Sequence, residues 1–144
     1  MIDTDRKIII GAREVIRFPQ LGIQLRAKVD TGARTSSLHA RNITLQEGEQ
    51  DWIHFITLDD TRGQLREVEC RLPLHDHRKI RSSNGQSEWR YVVQLEMQLG
   101  PLQQKIQLTL ADRTRMKYPM LLGRSAMKQH LLVAPGAAYL FGTP

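Results

Sequence analysis

Leu21-Gly22-Ile23-Gln24-Leu25-Arg26-Ala27-Lys28-Val29-Asp30-Thr31-Gly32-Ala33 is the stretch on which the reading of this chain turns. Leu21, Ile23, Leu25, Ala27 and Val29 alternate with Gly22, Gln24, Arg26 and Lys28. A period of two sends successive side chains to opposite faces, so this is a strand with one apolar and one polar side. The alternation stops at Asp30. A carboxylate followed by Thr31, Gly32 and Ala33 has a mechanical rationale as a catalytic loop. Glycine lets the backbone fold tightly and bring N–H groups to the carboxylate, and a threonine hydroxyl can bond across to a second copy of the loop. Two such carboxylates held together resist ionising both, so one keeps a proton while the other accepts one. The pair then supplies acid and base for attack of water on a peptide carbonyl. The tripeptide by itself also fits an ordinary turn, because Asp, Thr and Gly are common turn residues.

Outward from this stretch the period of two recurs in Val93, Leu95, Met97 and Leu99, and again in Ile106, Leu108 and Leu110. Shorter β-rich segments lie at residues 7–10, 42–45, 52–58 and 138–141. Turn signals separate them: Glu47-Gly48-Glu49, Arg62-Gly63, Asn84-Gly85 and Gly100-Pro101. Residues 124–132 carry good helix formers and predict about two helical turns. Many short strands with one short C-terminal helix give an all-β expectation, a barrel or a sandwich.

The chain has 144 residues, the size of one domain, and no internal repeat or linker divides residues 1–144. No apolar run is long enough to span a bilayer. The acidic and basic start Met1-Ile2-Asp3-Thr4-Asp5-Arg6-Lys7 does not read as a signal peptide, and Cys70 is the single cysteine. The expectation is a cytoplasmic protein with no membrane segment. The formal charge is +6. Such a balance fits a nucleic acid, an acidic polypeptide or a solvated surface. The densest basic stretch, Arg78-Lys79-Ile80-Arg81, has no aromatic neighbours in sequence.

A second element comes late. Met120-Leu121-Leu122-Gly123-Arg124 runs two hydrophobic residues into Gly-Arg. Between it and the Asp30 loop, residues 80–93 read as a hairpin whose tip is Ser82-Ser83-Asn84-Gly85. This order resembles the retropepsin family, whose late motif packs beneath the active-site loop and whose flap closes over substrate. Longer stretches are similar to the bacterial family labelled ATP-dependent zinc proteases, a retropepsin-like group. They are residues 28–40, Arg81-Ser82-Ser83-Asn84-Gly85, residues 108–113 and residues 116–124. The resemblance covers about residues 11–141.

The resemblance implies a closed retropepsin-like β-barrel and a site built on Asp30, Thr31, Gly32 and Ala33. It implies support of that loop from Leu121, Leu122, Gly123 and Arg124. Substrate contacts are expected from Arg34, Ser82, Ser83, Asn84, Gly85 and Arg113. Only one Asp-Thr-Gly occurs, and Asp59-Asp60-Thr61 lacks the glycine for a second, so a dyad requires a homodimer. The resemblance suggests that residues 1–10 and 137–141 pair across that interface. It also implies a link to ATP-grasp ligases that add glutamates to ribosomal proteins.

No cofactor and no metal are expected. The phosphate-cradling Gly-x-x-x-x-Gly-Lys-Ser/Thr and the zinc-binding His-Glu-x-x-His are both absent from the sequence. His75-Asp76-His77 is the nearest zinc candidate, with His39, His54 or Cys70 as further ligands, and it reads more simply as histidines on a polar surface. Arg34 beside the loop either lowers the pKa values of the dyad or pairs with a surface carboxylate. Arg113 and Arg124 carry the same two readings, and Arg124 also fits a buried ion pair that holds the loop. The functional expectation is an aspartic endopeptidase for an acidic, glutamate-rich polypeptide, with Arg34, Arg113 and Lys117 forming a positive trough. The alternative is a non-catalytic basic barrel that binds an acidic protein or RNA.

Overall fold

The structure is a computed structural model and describes residues 6–81 and 84–142. The expected flap residues Ser82 and Ser83 lie outside the described residues. Alternation decides which segments can wrap a core. β3 (Ile23–Asp30) buries Ile23, Leu25, Ala27 and Val29 and leaves Arg26 and Lys28 exposed. Leu21 sits in the turn before it rather than in the strand. β2 (Arg13–Phe18), β4 (Ser36–His39), β9 (Ser87–Leu99), β10 (Leu102–Ala111) and β11 (Met120–Gly123) complete the set around that core. Their order runs β10-β4-β11-β3-β2-β9, and β9 pairs back onto β10, so six strands close into a barrel. Closure removes free edges and gives every inward side chain apolar neighbours. Phe18, Leu25, Leu38, Leu95, Met97, Leu108 and Leu122 are fully buried inside it. The all-β, retropepsin-like barrel expected from the sequence is the fold observed.

A three-stranded sheet, β5 (Arg41–Gln46), β6 (Trp52–Asp59) and β7 (Arg66–Pro73), packs on this barrel through β6. The first half of β9 leaves the barrel and pairs with β8 (Asp76–Arg81). This two-stranded arm is the expected hairpin. Gly85 at its tip has φ 83°, a conformation that strongly favours glycine.

The C-terminal region departs from expectation. The predicted helix over 124–132 is a single 3₁₀ turn, Arg124–Ala126, followed by further turns and then β12 (Leu131–Val133). Gly123 at its start offers no side-chain cap. β1 (Ile8–Ile10) pairs in parallel with Leu131, Leu132 and Val133, so a partner distant in sequence wins over helix propensity. That pairing occupies one edge of β1 within the chain. Residues 138–141 form no strand. Tyr139 has φ 55°, and the Tyr139 and Leu140 N–H groups donate to the Arg13 carbonyl and the buried Glu14 carboxylate.

Candidate active site

Asp30 is the last residue of β3, and β11 lies parallel beside it in the register Leu121↔Lys28, Leu122↔Val29, Gly123↔Asp30. The loop turns back at once. Gly32 N–H donates to Asp30 Oδ1 at 3.0 Å, and Ala33 N–H donates to the Asp30 carbonyl at 3.2 Å. The first bond is the contact expected of the glycine. Asp30 itself stays half-buried and lines a groove of about 1360 Å³.

The late motif holds this loop by backbone contacts. Arg124 N–H donates to the Ala33 carbonyl at 2.9 Å and Ser125 N–H to the Arg34 carbonyl at 3.0 Å. Gly123 N–H donates to Ser36 Oγ at 3.0 Å. A Cβ on Gly123 would lie 2.5 Å from the Thr35 carbonyl carbon, so glycine is required for this approach. Leu122 packs in the barrel core, while Leu121 lines the groove. Arg124 holds the loop differently from the buried ion pair expected: its side chain is exposed, and Nη1 donates to the Thr31 and Gly32 carbonyls at 3.3 and 3.2 Å. A guanidinium presents several donors in a fork, which suits two adjacent carbonyls.

The groove is strongly basic. Arg34 and Arg124 flank the loop, the arm brings Arg78, Lys79, Arg81 and Arg90, and Lys105, Arg113 and Lys128 complete the wall. Against these nine cations Asp30 is the single acid among the described lining residues. Sequence reading named Arg34, Arg113 and Arg124 here. It missed Arg78, Arg90, Lys105 and Lys128, which strand register brings together from four separate stretches. Lys117 was expected in this trough and lies elsewhere, in a cavity of about 360 Å³ lined also by His39, Arg41, Glu67 and Met116. Asn84 and Gly85 are exposed at the arm's tip and do not line the groove.

Arg113 stands apart among these cations. Its Nε donates to the Tyr118 carbonyl at 3.0 Å, and its N–H donates to His39 Nδ1 at 2.9 Å. Burial and the neighbouring Arg90 push its pKa down, and it has no ion-pair partner among the described residues. Arg78 and Arg90, by contrast, pair with Asp76 and Glu88. His39, which sequence reading considered only as a metal ligand, is the acceptor for the Arg113 backbone N–H. Burial holds it below the usual histidine range, which suits a neutral ring accepting at Nδ1.

The other zinc candidates have plain roles. His54 bonds Gln46, His75 bonds Gln107, and His77 stacks on Tyr91. Burial pushes the Cys70 thiol up to about 11, far from a nucleophile. No group of three or more His, Cys, Asp and Glu side chains among the described residues is arranged to hold a metal ion. No helix among the described residues is long and apolar enough to cross a membrane.

Comparison with known proteins agrees with this geometry. A family model described as retropepsin-like aspartic endopeptidase RimB matches residues 9–144. That description is not the zinc-protease label which the sequence resemblance carried. The chain is 43% identical over 142 residues to a probable alpha-L-glutamate ligase of Shewanella pealeana, covering 96% of this chain and 31% of that protein. It is 40% identical over 138 residues to a protein of the same name from Desulfotalea psychrophila, covering 94% of this chain and 30% of that one. The chain thus spans about a third of the length of the curated relatives it matches. A crystal structure of a Legionella pneumophila protein of unknown function superposes with a TM-score of 0.75 at 30% identity, covering 92% of this chain and 97% of the other. With the Asp30 loop, the glycine that lets β11 reach it and the closed barrel around them, the match over residues 9–144 places this chain in the RimB-like family of retropepsin-like aspartic endopeptidases.

Proposed function

We propose that this domain is an aspartic endopeptidase whose active form joins two copies, with one Asp30 contributed by each. The observation that carries the reading is the Asp30 loop itself. A carboxylate at the end of a core strand has one hydrogen bond from the described residues and opens onto a groove of about 1360 Å³. One Asp30 takes a proton from a bound water, and the resulting hydroxide adds to the scissile carbonyl carbon. The protonated Asp30 of the second copy donates to the carbonyl oxygen. Collapse of the tetrahedral species returns a proton to the leaving amine and breaks the C–N bond. A single chain supplies one such carboxylate, so acid and base roles need the pair.

The substrate class we infer is an acidic, glutamate-rich polypeptide. Nine cations around one acid raise the local concentration of such a chain. Arg113, half-buried with no carboxylate partner among the described residues, supplies a charge that a substrate side chain would satisfy. The relatives' ligase name fits a functional link to a glutamate ligase, as the substrate's source or partner. The test compares glutamate-rich and neutral peptides of equal length at low and high salt. We expect faster cleavage of the acidic peptide, a preference that shrinks with salt, and loss of cleavage in Asp30→Asn. Equal rates at low salt would remove the substrate assignment. Full activity of Asp30→Asn, or cleavage by a sedimenting monomer, would remove the mechanism. If the Asp30→Asn protein binds and functions unchanged, the barrel is a binding module instead.

A further inference from the structure

The basic run Arg78-Lys79-Ile80-Arg81 has no Phe, Trp or Tyr beside it in sequence, yet the arm sets two, Trp89 and Tyr91, across from it and next to His77. In the antiparallel β8–β9 register His77 lies opposite Tyr91, Lys79 opposite Trp89 and Arg81 opposite Ser87. Residues directly opposite each other share a face. One face of the arm therefore carries His77, Lys79, Arg81, Trp89 and Tyr91, and the other carries Asp76, Arg78, Ile80, Glu88 and Arg90.

The two faces are sorted by charge. Both acids of the arm lie on the second face, where Asp76 pairs with Arg78 and Glu88 with Arg90. The first face keeps Lys79 and Arg81, which are exposed and have no ion-pair partner among the described residues. Beside them runs a row of rings. His77 stacks on Tyr91 with centroids 4.7 Å apart and an interplanar angle of 21°, and its centroid is 5.1 Å from that of Trp89. Trp89 is 63% exposed, more than any other large hydrophobic side chain among the described residues.

We propose that this outer face of the arm, built on Trp89, His77 and Tyr91 with Lys79 and Arg81, is a docking platform for single-stranded nucleic acid. Stacking on exposed rings is open to any unpaired base, because every base has a π-face, while lysine and arginine beside the rings meet the phosphates. A duplex hides its base faces and loses the stacking. An acidic peptide engages the two cations and leaves the rings unused. A lipid surface would want aliphatic side chains around the tryptophan, and this face has none. Lys79 and Arg81 also reach the rim of the Asp30 groove, so the platform sits beside the proposed peptidase site without using Asp30.

The chain has two tryptophans, so a Trp52→Phe protein leaves Trp89 as the reporter. Titration of that protein with a 12-nucleotide oligouridine should quench its fluorescence saturably. The logarithm of the binding constant should fall with the logarithm of salt at a slope of about −1.4, for two phosphate contacts on a single strand. Trp89→Ala, followed by anisotropy of a labelled oligonucleotide, should weaken binding at least about fivefold. Trp89→Phe keeps a ring and should retain most of the affinity, which guards against misfolding as the cause. A Lys79→Gln, Arg81→Gln double variant should flatten the salt slope. Absence of quenching would overturn the proposal. So would equal affinity for a duplex of the same length, or binding of polyglutamate or anionic vesicles in place of the oligonucleotide. An unchanged affinity in Trp89→Ala would overturn it as well. None of these readouts requires peptide cleavage.

Discussion

Asp30 and Asp59 start from the same local turn and end in different surroundings. Each ends a strand and is followed within two residues by a threonine, and each accepts a hydrogen bond from the backbone N–H two residues on. Those donors are Gly32 for Asp30 and Thr61 for Asp59. Asp59 then gathers three more donors: Gln24 N–H at 2.8 Å, the Thr61 hydroxyl, and Arg66 Nε at 2.9 Å. It is fully buried. Burial alone would raise its pKa, but hydrogen bonds from Thr61, Gln24 and Arg66 outweigh that and hold it below the usual carboxylate range. Asp30 keeps one side-chain bond and faces a groove. A buried carboxylate engaged by four donors ties the loop after β6 to β3. A carboxylate with lone pairs to spare is free to hold a water.

The sharpest way to break this comparison is a reciprocal pair of substitutions. Asp30→Asn should cut kcat/KM by about 10³-fold, within the range for loss of an acid–base group, with little change in melting temperature. Asp59→Ala should do the reverse. It takes the acceptor from the half-buried Gln24 N–H and from the Thr61 and Arg66 donors and should cost about 1–3 kcal/mol of stability, while the protein that remains folded cleaves within about threefold of the wild type. If folded Asp59→Ala protein were inactive, Asp59 would share in the chemistry and the contrast would fail. Calorimetry and peptide kinetics on the same samples read both effects.

Gly123→Ala tests the support of the Asp30 loop. Its Cβ overlaps the Thr35 backbone, so the loop or β11 must shift. A loss of about 1–3 kcal/mol is expected from overpacking, together with a drop in kcat larger than any change in KM. A variant as active as the wild type would mean the loop tolerates displacement of the strand beneath it.

Acid titration sharpens the contrast further. The pKa of Asp59 is depressed in the folded protein, so its contribution to stability is present above the unfolded value of about 3.9 and is lost as pH falls through the folded value. Its neighbour Asp60 has the opposite sign. Burial raises it, the Arg26 guanidinium 3.7 Å away opposes that, and neither carboxylate oxygen has a hydrogen bond. Its contribution is therefore favourable below the unfolded value and lost as pH rises through the folded one. Asp60→Asn should give the smallest effect of the series, a modest gain in stability at neutral pH, and should leave the acid transition to Asp59. Denaturant melts between pH 3 and 7 check both signs. A loss of stability at neutral pH in Asp60→Asn would mean that attraction to Arg26 outweighs the cost of burying the charge.

Local chemistry was legible in the residues themselves. The alternation from Ile23 to Val29 specifies a half-buried strand because the pleat has a period of two. Asp30-Thr31-Gly32 specifies a tight turn onto its own carboxylate because both partners lie within three residues. The motif around Gly123 could be recognised in sequence, but its reason, the Thr35 backbone, is 88 positions away. Residues 124–132 and 138–141 suit helix and strand on propensity, and β1 and Glu14 override both, because a distant pairing partner outweighs a local preference of a few tenths of a kcal/mol per residue. The basic groove was beyond sequence reading for a similar reason: Arg78, Arg90, Lys105 and Lys128 become neighbours only once β8, β9, β10 and the turn after β11 are in register. The row of rings beside Lys79 and Arg81 was legible only in part: Asn84-Gly85 marks where the arm turns, but which side chains then fall opposite one another depends on the β8–β9 register, and tertiary structure decides that.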